Sequence, residues 1–229
     1  MSSCEPVSWT NGKPTTEIRE FEEGVNSLYV YDDIDVTLIE SDTFRIEITT
    51  GENLMGGITS VVENGALYLR NENIRYWIRS YDYPLDIKVY HNSIRHINYV
   101  SWGDLKSEGC VSQEVLPRFD LIVEHGSGHI DIKLNCDTLN VKSHDGTARI
   151  NVSGSANYTD FHHNARNNMY AKDLITNDAK ACVYYEGSIY VNCKNRLDAL
   201  VNDFGSIYYN REVEELNATI TPSPAPNSR

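Results

Sequence analysis

The sequence predicts an all-β protein that folds as a parallel β-helix, a solenoid in which each coil stacks on the one before. Apolar residues follow no convincing 3.6-residue period, and Val, Ile, Thr and Tyr dominate the periodic stretches, which is typical of strands. From about Phe119 onward, a pattern of strand, turn and strand recurs about every 20 residues, as in a solenoid. The glycines that mark its turns are Gly128, Gly146, Gly187 and Gly205, with Ala165 at the intermediate turn.

The turn falls at the same position in each repeat, so equivalent residues of successive coils stack on one another. A repeat of β-hairpins would not produce this stacking. Counting from the turns places Ile132, Ile150 and Val191 in one inward stack and buries Cys193 in a neighbouring column. The third coil is irregular, since Asp160 stands at a position that is apolar in the other coils. Either the counted register slips there or that coil bulges.

Polar residues occupy the outward positions of the repeat. Tyr190 and Tyr208 recur at one position in successive coils, and Asn192 and Asn210 recur two residues later. Side chains one rung apart can stack, so we expect ladders of tyrosine and asparagine on the outside of the solenoid.

The chain divides into a solenoid domain and two flanking segments. The solenoid is predicted over residues 17–212, with irregular, decorated coils over 17–118 and regular coils over 119–212. Asn64-Gly65 is the strongest turn signal of the irregular half. Residues 1–16 are expected to be a leader or linker, and 213–229 a C-terminal segment with a Pro- and Ser-rich, disordered tail.

Composition excludes several classes of function. The 229 residues carry a net charge of −13, which argues against a nucleic-acid partner, since binding phosphates requires a basic face. No apolar run approaches the roughly 20 residues of a membrane-spanning helix. Of the five cysteines, Cys4 follows two serines, as at a bacterial lipoprotein processing site. The other four match no zinc spacing, and we expect most of them to be small core residues: Cys110, Cys136, Cys182 and Cys193.

Several blocks occur in an order that resembles a known family. They are "IDVTLIES", "GENLMGGITSVVENGALYLRN", "DIKVYHNSIRHINYVSWGDL" and the repeated G-S-x-I strands. Over residues 17–212 the chain is similar to the auto-transporter adhesin head domain, also called the head GIN domain. This resemblance implies a single-stranded, right-handed β-helix exported to a Gram-negative envelope, at the cell surface or outer membrane or in the periplasm, often as a lipoprotein. It therefore supports lipidation at Cys4, and it supplies no catalytic residues to transfer.

The strongest binding candidate is the segment "NENIRYWIRSYDYP", where aromatic side chains alternate with arginines. Such residues suit sugar stacking or a protein hot spot, although the segment could also cap the solenoid. The candidate binding residues are Arg75, Tyr76, Trp77, Arg79, Tyr81 and Tyr83.

The histidines and the acidic pairs do not predict a metal site or a catalytic site. His144 and His163 fall in one predicted column with His125 and His162 one position back, and we interpret them as an exposed polar edge rather than a metal site. The acidic pairs lack the spacing of a calcium loop, and nucleophile and phosphate-loop motifs are absent. No catalytic residue, metal or cofactor is predicted.

The sequence therefore favours a non-catalytic cell-envelope protein, adhesin-like, that binds a surface glycan or an envelope protein. Two alternatives remain. A carbohydrate-active β-helix enzyme would need carboxylates placed across a groove. A self-assembling structural protein would stack end to end through coils that lack a cap.

Overall fold

The computed structural model describes residues 10–22, 24–73 and 85–221, and it is almost entirely β. The only helix in the described part of the chain is α1 (Glu52–Met55), too short to cross a membrane. The strands are β1 (Pro14–Glu20), β2 (Ser27–Asp32), β3 (Asp35–Glu40), β4 (Arg45–Gly51), β5 (Ile58–Glu63), β6 (Ala66–Asn71), β7 (Asp86–His91), β8 (His96–Ser101), β9 (Leu105–Cys110), β10 (Leu116–Val123), β11 (His129–Ser143), β12 (Arg149–His163), β13 (Asn168–Val183), β14 (Ser188–Asn202), β15 (Ser206–Tyr209) and β16 (Glu215–Thr221).

The strands form a β-solenoid of about six turns, which confirms the predicted fold class. Each coil contributes one strand segment to each of two walls. The first wall runs through β4, β7, β3, β9, the N-terminal halves of β11 to β14, and β15. The second wall runs through β6, β2, β8, β10, the C-terminal halves of β11 to β14, and β16. Pairing is parallel along both walls except between β4 and β7, which are antiparallel.

The N-terminal half consists of earlier coils of the same solenoid with added antiparallel strands. β1 and β4 extend the first wall, and the β5–β6 hairpin extends the second. Asn64 and Gly65 turn this hairpin with positive φ angles of 52° and 74°, as the turn signal predicts. In space the coil of β2 and β3 lies between the β6–β7 coil and the β8–β9 coil, so the order of coils departs from the order of the chain.

One apolar column runs along the inside of each wall. On the first wall it contains Ile48, Ile87, Val36, Leu105, Ile130, Ile150, Met169, Ile189 and Ile207. On the second wall it contains Leu67, Leu28, Ile97, Leu121, Val141, Phe161, Ala181, Ala199 and Ala218. Most of these side chains are fully buried, and burial decreases only from Ala199 of β14 and Ile207 of β15 onward.

On the first wall, the counted register was wrong by two residues between β11 and β12 and between β13 and β14, and correct between β12 and β13 and between β14 and β15. Gly126, not Gly128, pairs with Gly146, so Ile130 rather than Ile132 lies beside Ile150. Ile132, Ile150 and Val191 all point inward and are buried, but they belong to different columns. Since side chains alternate between faces with a period of two, a two-residue slip leaves each one on the correct face.

In the third coil, a slip of a single residue explains the apparent anomaly. Phe161, not Asp160, occupies the inward position beside Val141, and Asp160 lies in the outward row beside Asn140. No bulge is needed at this point of the coil.

All four described cysteines are free thiols. Cys136, Cys182 and Cys193 are buried and Cys110 is half-buried. Burial raises the pKa of the Cys136 thiol to about 12, with smaller contributions from Asp137 and Cys110. A thiol of this kind stays protonated and behaves as a small apolar core residue.

Candidate functional site

A tyrosine ladder lies on the outside of the first wall. Tyr170, Tyr190 and Tyr208 pair laterally in β13, β14 and β15, with ring centroids 4.9 and 4.7 Å apart and interplanar angles of 14° and 12°. The stacked pair of Tyr190 and Tyr208 confirms the prediction, and the structure adds Tyr170 where sequence counting placed Asn168. The guanidinium of Arg149 covers the far side of the ladder, 4.7 Å from the Tyr170 ring centroid.

The ladder borders a groove of about 320 Å³, called here the ladder groove. Its lining residues are Lys172, Tyr190, Val191, Asn192, Tyr208, Tyr209 and Asn210. Two of these side chains are held in place by the backbone of neighbouring coils. Asn192 Nδ2 donates to the Lys172 carbonyl at 3.2 Å, and Asn210 Oδ1 accepts from the Cys193 amide at 2.9 Å. No hydrogen bond among the described residues uses the other polar end of either amide.

Tyr208 is the last ring of the ladder and is 52% exposed. Its strand, β15, pairs with β14 on one side, and within residues 10–221 no described strand covers its other edge. The aromatic ring therefore presents one free face at the C-terminal end of the stack. Arrangements of this kind bind flat apolar surfaces, because the face of an aromatic ring gives a large contact area at a small entropic cost.

A second groove, of about 400 Å³, lies on the second wall and is called here the histidine groove. It is lined by Lys142, Ser143, His144, His162, Asn164 and Tyr184. His162 Nε2 lies 3.1 Å from Asp160 Oδ1, and its ring stacks on that of Tyr184 at 6.0 Å. Burial, aided by the neighbouring Cys182, raises the pKa of Tyr184, so its phenol remains a hydrogen-bond donor at neutral pH.

Sequence reasoning missed this second groove because it depends on the register. Residues 142, 162 and 182 lie side by side only when the coils are 20 residues apart. The signal was present in the chain as the 20-residue spacing of His144, Asn164 and Tyr184. Counting with an 18-residue interval between the first turn glycines obscured this 20-residue spacing.

The predicted histidine column does not form. His163 is buried and its Nε2 lies 2.8 Å from the Asn167 carbonyl, whereas His144 lines the exposed groove. Burial lowers the pKa of His163, so the ring is neutral inside the coil. His125 pairs instead with Asp145 at 2.7 Å on the surface. Among the residues that the structure describes, no group of three or more His, Cys, Asp or Glu side chains comes together as a metal site would require.

The binding residues proposed from sequence, Arg75 to Tyr83, lie outside the described residues, and so does Cys4. The flanking residues are described. Asn73 Nδ2 donates to the Leu54 carbonyl at 2.9 Å, and Leu85 is buried where the chain enters β7. The two described residues that flank the segment, Asn73 and Leu85, therefore lie at the N-terminal end of the solenoid.

Comparisons with known proteins agree on the fold. A family model described as "Putative auto-transporter adhesin, head GIN domain" matches residues 25–212. A solved structure named a "putative adhesin" from Bacteroides fragilis superposes with a TM-score of 0.80 at 21% identity, covering 93% of this chain and 97% of its own.

Two further structures come from Parabacteroides distasonis. One, a "putative adhesin", has a TM-score of 0.68 at 18% identity, covering 93% of this chain and 96% of its own. The other, a "Putative lipid binding protein", has a TM-score of 0.62 at 20% identity, covering 93% and 98%. At these identities the likeness shows a shared fold. Among curated proteins, none matches the chain.

Proposed function

Because the chain belongs to the family of auto-transporter adhesin head GIN domains, we propose that it is a non-catalytic, adhesin-like domain of the bacterial cell envelope that binds a surface glycan. The proposed binding site is the ladder groove. Of the three solved structures described above, two are named "putative adhesin" and one "Putative lipid binding protein", which supports binding rather than chemistry.

The observation that carries this proposal is the free face of Tyr208 at the end of a rigid ring stack. A sugar ring has an apolar C–H face that packs on an aromatic ring and hydroxyl groups that need hydrogen-bond partners. The ladder groove offers both, since Asn192, Asn210 and Lys172 line it beside the ring. Because the backbone of the coils holds Asn192 and Asn210, little entropy is lost when a ligand binds.

The lining of the grooves supports a binding role over glycoside cleavage. Hydrolysis of a glycosidic bond needs two carboxyl groups about 5 to 10 Å apart across the substrate. Neither the ladder groove nor the histidine groove has a carboxylate among its lining residues. Asp160 contacts His162 beside the histidine groove, but it stands there without a second carboxylate in the lining.

The test is a glycan array probed with the full chain, followed by affinity measurements on single variants. Tyr208→Ala should weaken binding at least about tenfold, as expected for an aromatic anchor. Tyr184→Ala, which removes the exposed tyrosine of the histidine groove, is the matched control and should leave affinity unchanged. The opposite pattern would assign binding to the histidine groove and refute this site.

Two other results would refute the wider proposal. Release of a cleaved glycan, rather than its retention, would make the protein an enzyme. Retention of an envelope protein with no glycan bound would make that protein the partner. Loss of binding with Trp77→Ala alone would move the site to the segment from Arg75 to Tyr83.

We further propose that a lipid on Cys4 anchors the domain to the envelope. Support comes from the sequence Ser2-Ser3-Cys4 and from the cell-envelope location that an adhesin family implies. Full-length protein expressed in its natural envelope should partition into the detergent phase, and Cys4→Ala should move it to the aqueous phase. Cys110→Ala, at a half-buried thiol, is the control and should not change partitioning. Equal partitioning of wild type and Cys4→Ala would exclude the anchor.

A further inference from the structure

The two ends of the solenoid differ in how they are closed. At the N-terminal end, α1 buries Leu54 and Met55, and antiparallel strands extend both walls. At the C-terminal end, all seven residues of β16 are exposed, and Phe204 and Ile220 are each 73% exposed. Uncapped terminal coils of a solenoid expose core columns and unpaired strand edges, which tend to associate.

The exposed side chains of β16 are the last members of the core columns. Leu216 lies beside the buried Leu197, Ala218 beside Ala199, and Ile220 beside Val201. These apolar side chains contact β14 on one side only. On the other side they are exposed, and together they form an apolar strip that continues the inward columns of the solenoid.

One edge of β16 has no described partner, and the hydrogen bond to β14 shows which of its residues direct N–H and C=O groups toward that edge. The Asp203 amide donates to the Thr221 carbonyl at 3.2 Å, so Thr221 directs its N–H and C=O toward β14. Since successive residues of a strand point to opposite sides, the same groups of Leu216, Ala218 and Ile220 point away from β14. No described strand pairs with that edge.

We propose that the edge of β16 pairs with β16 of a second copy of this chain, antiparallel and around a two-fold axis at Ala218. In that register Ala218 meets Ala218 of the second copy, and Leu216 meets its Ile220. The three residues with free N–H and C=O groups thus pair with one another, and their side chains form one apolar face. A strand edge that complements itself in this way is what an isologous dimer interface requires.

Charges are compatible with the same register. Glu215 faces Thr221 of the second copy, so no carboxylate on the strand lies opposite another. Arg196 Nε lies 4.0 Å from Glu215 Oε1 within each copy and offsets part of its charge. Asn217 faces Thr219, and these are two uncharged side chains on the outer face.

The chain's own C-terminal segment is a weaker occupant of this edge. Residues 222–229 read PSPAPNSR, with proline at every second position from 222 to 226 and no large apolar side chain. Prolines have no N–H to donate to a strand edge, and the segment has little apolar area to cover Leu216 and Ile220.

The test is the molar mass of the full chain by light scattering and sedimentation, up to about 200 µM, where weak interfaces become populated. A dimer should form with increasing concentration. Ala218→Pro removes an N–H that the β14 ladder does not use, and Ile220→Lys places a charge in the apolar strip. Each should raise the dimer dissociation constant at least about tenfold. Ile175→Lys, at an exposed isoleucine in β13, is the matched control and should change nothing.

A cysteine cross-link tests the register. Directly opposed residues of an antiparallel hydrogen-bonded pair have Cα atoms about 5.5 Å apart, within disulfide range. In a Cys4→Ser background oxidised with diamide, Ala218→Cys should therefore give a covalent dimer, and Asn217→Cys should not. Four results would overturn the proposal: a monomer at every concentration, association that Ala218→Pro leaves intact, unlimited growth into filaments, or cross-linking at 217 instead of 218. A monomer whose amides at 216, 218 and 220 resist hydrogen exchange would show that residues 222–229 cover the edge instead.

Discussion

His91 makes the stability of the fold depend on pH. It lies at the end of β7, is 1% exposed, and accepts a hydrogen bond at Nδ1 from the Ile94 amide at 3.4 Å. No hydrogen bond among the described residues reaches its Nε2. Burial lowers the pKa of His91 from 6.5 to about 4, against a small opposing effect of Glu40.

The direction and size of the effect follow from linkage. A base whose pKa is lower in the folded state contributes stability in full above the unfolded value of 6.5 and loses it as pH falls toward 4. The lowered pKa corresponds to about 3 kcal/mol of unfolding free energy, at about 1.36 kcal/mol per pKa unit. Most of this is lost between about pH 7.5 and pH 4.5. His163, with its pKa also lowered by burial, adds in the same direction.

Urea unfolding at the two pH values measures this loss, and His91→Gln isolates it. Acid destabilisation from carboxylates is common to both proteins, so the His91→Gln variant should lose about 2–3 kcal/mol less unfolding free energy than wild type between the two pH values. His125→Gln, at a histidine that is 75% exposed, serves as the control and should behave like wild type. If His91→Gln and wild type lose the same free energy over this range, the reasoning from burial is refuted.

Three further predictions concern packing, turn geometry and attachment. Ile150→Ala should lower the free energy of unfolding by about 2–5 kcal/mol, measured by urea denaturation, because it opens a cavity in a fully buried column. Gly187→Ala should cost about 2 kcal/mol or more of unfolding free energy, since Gly187 has a φ of 111° and a Cβ there would clash with the Asn167 carbonyl oxygen. A Cβ at Gly56 would meet nothing within 4 Å, so Gly56→Ala is the control and should be neutral. If the segment from Arg75 to Tyr83, rather than the ladder groove, holds the natural partner, Trp77→Ala should weaken attachment with little change in melting temperature, and unfolding of this variant would identify Trp77 as a core residue instead.

The fold class was predictable because burial alternates along each strand. Val, Ile and Leu at every second position define an inward face regardless of which coil lies beside which, so Ile132, Ile150 and Val191 were placed correctly as buried. Register was less well determined. Gly126-Ser127-Gly128 offers two turn glycines, and the true interval from Gly126 to Gly146 is 20 residues, against 18 between Gly187 and Gly205. A repeat with a variable coil length does not select one alignment.

The order of coils in the N-terminal half could not be predicted from the sequence, for a different reason. Each strand pattern specifies an inward face, but nothing in β2 specifies whether its edges meet β6 and β8 or other strands. The structure inserts the β2–β3 coil between two coils that come later in the chain. Such pairing is set by long-range packing and by the turns that connect the coils, and local alternation carries no information about it.

The same distinction between local pattern and register decides which parts of the candidate sites could be predicted. The pair Tyr190 and Tyr208 was predicted because both follow their turn glycines at one distance in coils of equal length. His162 pairs with Cys182, 20 residues later, and stacks on Tyr184 two residues beyond it, so their contact required the register of the structure. The segment from Arg75 to Tyr83 was chosen for its composition alone and remains a prediction.

The proposed glycan site and the proposed dimer edge both lie where the columns of the solenoid end at its last coil. Inside the stack each tyrosine face is covered by the next ring, and each strand edge by the next strand. At β15 and β16 nothing described continues either pattern, which leaves a ring face on the first wall and a strand edge on the second. Since the two features lie on different walls, Tyr208→Ala should leave dimerisation intact and Ala218→Pro should leave glycan affinity intact. A loss of both functions in either variant would show that one interface, not two, covers the end of the solenoid.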